Sequence, residues 1–373
     1  MKQGISIPCH WNKEIMAQML HRPVPEGGLA ITEIYGTVAG NPLRHGRADS
    51  TVPSVSREQA IEFREFVRKE GVTFTYLLNA PYSLENSSRI DLDSYLDWVL
   101  KVLQPDALSI SSYELMKLVR EKDSSIAIHI STIAGVRNAR DLQRFQAIYP
   151  RKVTLHHDLG KDWKALAEVV EYANVHNIDV ELLVTESCLY NCPIRDKHYA
   201  YLARPGRATD LEFHLWCQSK KVGDPSEFLR AGAAIRPEDL SLLEQQGVGL
   251  FKISGRDRAV EEIPPVVAAY QARHFDGNFI DLLDVTPALK KGWAYISNRA
   301  LDGFLEHYPQ NSIDSQKAYC QMWAVRLFER GDFYVKGATY AVCNGQLVRV
   351  GEPSTNRMVV FNQIKQKFEH QSA

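Results

Sequence analysis

Lys152-Val-Thr-Leu155, Lys161-Asp-Trp-Lys-Ala-Leu-Ala-Glu-Val-Val-Glu-Tyr-Ala-Asn-Val175 and Ile178-Asp-Val-Glu-Leu-Leu-Val184 follow one another with only short gaps. The first and third are short apolar runs with β-branched residues. The second spaces its apolar side chains at helical intervals. Strand, helix and strand in this order form the unit of a parallel sheet with helices outside it.

The same alternation extends in both directions. Six further strand candidates are Gly4–Ile7, Leu29–Ile34, Thr73–Leu78, Ala107–Ile110, Ile126–Ile130 and Gly249–Ile253. Helical patterns cover Arg57–Lys69, Leu92–Leu103, Tyr113–Arg120 and Pro237–Gln246, the last opening on a proline, whose missing N–H costs little in a first turn. Eight units predict an α/β fold, a (β/α)8 TIM-barrel-like domain of the usual ~250 residues. No Gly-x-Gly-x-x-Gly follows an early strand, which argues against an open dinucleotide-binding sheet.

The expected division is a barrel over residues 1–256 and a C-terminal α/β extension over 257–373, packed on it. The pattern changes there. Pro264-Pro265 interrupts a helical stretch, Asp276-Gly277-Asn278 reads as a turn, and Tyr334–Val342 with Gln346–Val350 flanks Cys343-Asn344-Gly345 as a hairpin. Tyr319–Phe333 reads either as a core helix or as an interface for a partner.

The chain has 373 residues, 45% hydrophobic and 24% charged, with a net charge of −1. That balance is ordinary for a globular protein and offers no electrostatic grip on nucleic acid or an anionic membrane. The first residues contain no apolar signal core, and no run approaches the ~18 apolar residues of a membrane span. The reading is therefore cytoplasmic, where disulfides are disfavoured and clustered cysteines point to metal or catalysis.

Barrel chemistry gathers where the strands end. The residues at those ends are Cys9 and His10; Glu33 and Tyr35; Asn79; Ser111, Ser112 and Tyr113; His129, Ser131 and Thr132; His156, His157 and Asp158; Glu186, Cys188 and Cys192; Lys252, Ser254 and Arg256. Glu33, His156 and His157 are the candidates for moving protons. Arg256 and Lys252 suit a carboxylate or phosphate, arginine in a bidentate grip.

Three of the six cysteines fall in one segment: Glu186-Ser-Cys-Leu-Tyr-Asn-Cys-Pro-Ile-Arg-Asp-Lys-His198, then Glu212-Phe-His-Leu-Trp-Cys217. Structural zinc favours closely paired Cys-x2-Cys half-sites, which this spacing lacks. A cluster held by three or four thiolates suits it better, and three unrelated buried cysteines are the alternative. Cys188, Cys192 and Cys217 are the candidate ligands. The fourth is Cys9, or His214, or no residue, leaving an open iron. His198 reads as a ligand, a donor behind the ligands or a structural histidine.

Ser131-Thr-Ile-Ala-Gly-Val-Arg-Asn138, the acidic-cysteine segment from Glu186 to Arg195, and Leu250-Phe-Lys-Ile-Ser-Gly-Arg256 together resemble the collagenase-like peptidase family U32, in order and spacing along most of residues 5–310. Asp302-Gly-Phe-Leu305 resembles its smaller, single-barrel branch. The resemblance implies a barrel and a cysteine-bound 4Fe–4S cluster, with the family's cluster cysteines falling on Cys188, Cys192 and Cys217. Members were named for collagenase-type proteolysis; others are implicated in oxygen-independent hydroxylation of a ubiquinone precursor or of RNA bases, often with a partner subunit. Phe213 stands where relatives of this branch often carry a further cysteine, and Cys320 stands alone where they tend to have more.

The expected function is oxygen-independent redox tailoring, a hydroxylation, of a small molecule, with a partner subunit or electron donor. The alternatives are a collagenase-type peptidase or a non-catalytic partner subunit. No His-Glu-x-x-His or Gly-x-Ser-x-Gly supports hydrolysis; Ser131 with His156 or His157 is a geometrically possible dyad that nothing in the sequence marks.

Overall fold

The computed structural model describes residues 2–43, 45–47, 52–81, 89–204, 210–256, 258–284 and 292–350. Eight strands close into a barrel in sequence order: β1 Gly4–Pro8, β2 Ile31–Gly36, β3 Thr73–Leu78, β4 Ala107–Ile110, β5 Ala127–Ile130, β6 Lys152–Thr154, β7 Asp179–Leu183 and β8 Leu250–Lys252. Every pairing is parallel, including the closure of β1 on β8. The expected (β/α)8 architecture is present, with each strand within two residues of its expected position.

The helices α1 Lys13–Leu20, α2 Arg57–Lys69, α3 Arg89–Asp97, α4 Tyr113–Lys122, α5 Ala139–Gln143 and α6 Trp163–Val175 follow the first six strands. Their starts are capped locally. Ser56 Oγ accepts from Gln59 N while Gln59 Oε1 accepts from Ser56 N, a reciprocal cap on α2. Ser112 and Asp162 cap α4 and α6. Ser112 and Tyr113 thus start a helix, and Ser111 Oγ donates to Ala80 O. The helical run expected over Leu92–Leu103 is α3 followed by a π turn, Trp98–Leu103, which Gln104 ends in the left-handed region (φ 48°).

Strand residues alternate between two surroundings. Ile5, Ile7, Ile34, Phe74, Ile128, Ile130, Val153, Leu182 and Phe251 join the apolar layer under the helices. Ser6, Glu33, Thr75, His129, Lys152, Thr154, Glu181 and Lys252, also buried, lie on the other face, inside the barrel. The lumen is filled by an ion network instead of the branched aliphatic layers common in such barrels. Lys152 Nζ donates to Glu33 Oε2 (2.7 Å) and Glu181 Oε1 (2.8 Å); Ser6 and Thr154 hydroxyls donate to the same Glu181 carboxylate.

The connection from β7 to β8 is long and helical: α7 Arg195–Leu202, α8 Leu211–Gly223, α9 Ser226–Arg230 and α10 Leu240–Gln245. After β8 come α11 Ile263–Ala272, α12 Phe279–Leu282, β9 Ala294–Ile296, α13 Ile313–Glu329, β10 Phe333–Val335, β11 Thr339–Cys343 and β12 Gln346–Val350. α11 packs against β1 and α1, and Tyr270 Oη donates to Val184 O and Ile235 O, so strand–helix alternation continues past residue 256.

One expectation is corrected. Tyr334–Val342 is not a single hairpin strand. β10 pairs antiparallel with β9, Gly337 turns the chain at positive φ, and only β11 pairs with β12. That hairpin turns on Asn344-Gly345, both at positive φ (50° and 73°), as a two-residue type I′ turn requires. Tyr319 lies in α13, whose buried face includes Cys320, Trp323 and Leu327. Among the described residues no helix is long and apolar enough to cross a membrane.

Candidate functional site

The C-terminal ends of the strands surround a cleft whose wall includes Tyr35, Asn79, Ser131, His157, Lys252 and Arg256. Gly255 makes this wall possible at β8: its φ is 118°, and a Cβ there would sit 2.6 Å from the Arg258 side chain. Lys252 Nζ lies 3.7 Å from the centre of the Tyr35 ring, and Tyr35 Oη donates to Ile253 O. Arg47, from the β2–α2 loop, reaches the same cleft and pairs with Asp284 (3.1 Å) and Glu186 (3.4 Å). The cleft therefore presents arginine and lysine side chains to whatever enters it.

Glu33 is not at this mouth. β2 runs on to Gly36, so Glu33 lies mid-strand, beside Lys152 and facing the opposite, N-terminal opening of the barrel. The strand end expected at Ile34 misplaced it by two residues. Burial alone would raise the Glu181 carboxyl, but Lys152 and Lys252 outweigh it and hold it below the usual carboxylate range. Lys152 is raised to about 12 in turn, its two carboxylate partners overcoming burial.

The adjacent histidines divide. His156 Nε2 faces Arg195 Nη1 (2.8 Å) and Arg137 Nη2 (3.0 Å). Burial, then those two guanidiniums, press its pKa down to about 2, so the ring is neutral and its accepting nitrogen is already engaged. His157 lines the cleft. Its Nε2 is 2.6 Å from Tyr199 Oη, and its buried Nδ1 has no partner among the described residues. Burial, followed by Arg195, lowers its pKa well below the usual value. Ser131 Oγ accepts from Asn79 Nδ2 and Ile133 N, and neither histidine engages it, so the Ser–His dyad is not assembled.

All six cysteines are described, and none is bridged. Cys192 and Cys217 lie close enough to interact, Cys217 holding the Cys192 thiol down at about 7 and Cys192, with burial, pushing the Cys217 thiol up. Cys188 lies close enough to both to feel their charge, and burial raises its thiol. Arg195 and Lys221 are the cations beside this group. Leu189, Ile194 and Trp216 form a small apolar cluster against which Cys192, Cys217 and Phe213 pack. The thiol loop is anchored by polar bonds: Arg195 Nη2 donates to Leu189 O (2.6 Å), Lys221 Nζ to Ser187 O, and Asn191 N to Asp158.

Cys9 is placed elsewhere. Its Sγ accepts from Trp11 N at 3.3 Å, it faces Gly36, and Arg256 is its charged neighbour. His214, the other candidate for a fourth ligand, points Nε2 at Asp210 Oδ2 (3.2 Å), and His198 Nε2 approaches the same oxygen (2.8 Å). Burial would raise the Asp210 carboxyl, but both histidines outweigh it and hold it well below the usual range.

Among the described residues, His198, Asp210 and His214 are the only three metal-donor side chains with all ligand atoms within 4.8 Å of one another. The three sulfurs do not meet that limit. Thiolates sharing one zinc at ~2.3 Å stand roughly 3.8 Å apart. As they stand, the three sulfurs are therefore not gathered around a single ion.

The sequence pattern names Asp158 at the end of β6 but does not single out Arg195, Tyr199 or Asp210. Arg195 stands inside the acidic-cysteine motif, and Asp210 and His214 have i,i+4 spacing, so a signal existed for both. Tyr199 carried none.

A model of peptidase family U32 matches residues 39–192. The U32 resemblance of the motifs is borne out. A Methanocaldococcus jannaschii protein described as an uncharacterized protease is 27% identical over 297 residues, covering 78% of this chain and 87% of that protein. The solved structure of a U32 peptidase superposes with a TM-score of 0.47 at 13% identity, covering 68% of this chain and 94% of the other. The matched U32 segment runs from the loop after β2 to Cys192, and so includes two of the three clustered cysteines.

Proposed function

We propose that this chain is a U32-type redox enzyme that holds a 4Fe–4S cluster on Cys188, Cys192 and Cys217 and modifies, by oxygen-independent hydroxylation, a small anionic molecule bound in the barrel mouth. The observation that carries the reading is the meeting of thiols from two stretches of the β7–β8 connection, with Arg195 and Lys221 beside them.

The donor set fits the group. Three soft, half-buried thiol ligands converge, cations offset their charge, and apolar Leu189, Ile194 and Trp216 pack against Cys192 and Cys217. With Cys9 and His214 engaged elsewhere, the fourth position falls to water or substrate. Such a cluster supplies one-electron transfer and, at an open iron, a Lewis acid.

The chain's own residues do the rest. Arg256 and Lys252 would hold a carboxylate or phosphate in the cleft, beside Arg47, which Asp284 and Glu186 already pair. His157, neutral and paired with Tyr199, carries the proton exchanged with a bound molecule. His156 instead steadies Arg195, and through it the thiol loop. With water as the oxygen source, R–H and H2O give R–OH, two protons and two electrons, and an oxidised partner subunit or redox protein would accept those electrons. No basic stripe favours RNA as the substrate.

A peptidase is the second reading, and its support is the description carried by the family and by the archaeal relative. The side chains of Ser131, His156 and His157 are arranged unlike a nucleophile–base pair.

Purification without oxygen, with iron and acid-labile sulfide assays and an absorption spectrum, tests the proposal. About four irons and four sulfides per chain and a brown protein are expected. A colourless, iron-free anaerobic protein overturns it. Cleavage of gelatin by that protein, abolished by a single cleft substitution, would favour the peptidase.

A further inference from the structure

The groups outside the cleft include one that none of the chemistry above uses. We propose that His198, Asp210 and His214 form a second metal site, separate from the cysteines, that binds one divalent first-row transition ion of the Zn2+ or Fe2+ type.

The donors are arranged before any ion arrives. His198 sits on α7, Asp210 immediately precedes α8, and His214 lies one turn into α8. The His198 and His214 Nε2 atoms lie 2.8 and 3.2 Å from one oxygen, Asp210 Oδ2. Ligands placed tetrahedrally at ~2.0–2.1 Å from a common ion stand roughly 3.3 Å apart, so the two histidine–aspartate spacings need shifts of only tenths of an ångström, and the two imidazoles, within 4.8 Å of each other, need at most about 1.5 Å.

The rings cannot easily turn away. His198 stacks on Phe213 with centroids 4.6 Å apart and planes 7° from parallel, and meets His214 edge-on at 5.5 Å. Asp210 is buried, while the His214 side chain is 35% exposed, so one side of the site remains open to solvent. Two imidazoles, one carboxylate and an open side are the donor set of catalytic zinc and non-haem ferrous sites, whereas calcium and magnesium prefer all-oxygen shells.

The site also has a place in the molecule. Tyr199 stacks on both His198 and His157, linking it to the cleft, and Phe213 links it to the cysteine group. It lies between the two.

The same contacts arise if two neutral imidazoles each donate an Nε2–H to Asp210, so the test must detect the ion. Full-length protein is titrated anaerobically with Co2+, followed by its visible spectrum and by metal analysis after dialysis. The expected result is one equivalent bound with ligand-field bands that lack thiolate charge-transfer intensity. His214→Ala, at a partly exposed position, should weaken binding at least about tenfold. His214→Cys should restore binding and add a thiolate charge-transfer band. Failure of the native chain to retain Co2+, retention undiminished in both His214→Ala and Asp210→Asn, or no new band in His214→Cys would each overturn the proposal. Loss of the iron–sulfur reading leaves these outcomes unaffected, because the readout is confined to nitrogen and oxygen ligands.

Discussion

Arg195 Nη1 lies 2.8 Å from His156 Nε2, while Nη2 of the same guanidinium holds Leu189 O at 2.6 Å. One side chain thus ties the end of β6 to the loop that carries Cys188 and Cys192. Arg195→Ala leaves Asp158 and His156 buried without this partner, a loss of about 3–5 kcal/mol by analogy with other broken buried pairs. Arg195→Lys keeps the charge but not the fork, so it should bind iron poorly while remaining folded. Chemical denaturation and iron content measured on both variants separate the two effects.

His156 makes stability fall in acid. Its ordinary pKa is near 6.5, and its environment in the fold lowers it to about 2. Above pH 6.5 neither the folded nor the unfolded chain protonates it. Below 6.5 the unfolded chain binds a proton that the folded one refuses, so stability drops by about 1.4 kcal/mol per pH unit from this group. His156→Gln, whose amide oxygen can still accept from Arg195, should show a slope shallower by that amount between pH 6 and 4 in urea unfolding. An unchanged slope would show the histidine to be protonated in the fold.

Lys152 is the cation at the centre of the lumen. Lys152→Met should cost about 3–5 kcal/mol, because Glu181 is fully buried and Glu33 nearly so. Lys152→Met combined with Glu181→Gln should recover part of that loss, a coupling that a double-mutant cycle of denaturation midpoints reads directly.

Serine substitutions sort the cysteines. Cys188→Ser, Cys192→Ser and Cys217→Ser should each lower iron content by more than half, while Cys9→Ser and Cys320→Ser keep it. Cys9 lies beside Trp11 and Gly36, and Cys320 is buried in the face of α13. If Cys9→Ser empties the protein of iron, the three-cysteine assignment is wrong.

Gly255→Val should damage the cleft without touching the thiols. Its φ of 118° is open to glycine alone, and a side chain would strike Arg258. Destabilisation of a few kcal/mol, seen as a lower Tm, is expected with iron content unchanged.

The barrel was legible from local pattern. Runs such as Ala107–Ile110 and Thr73–Leu78 carry the period and β-branching of strands, and Ser56 with Gln59 marks a helix start, because these signals act within a few residues. The convergence of Cys188, Cys192 and Cys217 was legible too, since spacing along one connection limits how far they can separate. Glu33 and the Tyr334 strand were misread for one reason: where a strand stops is decided by its neighbours in the sheet.

Residue order by itself determined the eight strand–helix units, their parallel closure and the set of chemically able side chains. Only the tertiary structure decided which of those side chains are free to act. Barrel closure places Arg195 against His156, Lys152 between two carboxylates, and two imidazoles on one aspartate oxygen, through contacts spanning up to 119 residues of chain. Burial then amplifies each such contact by removing competing water, and no local pattern in the chain reports that.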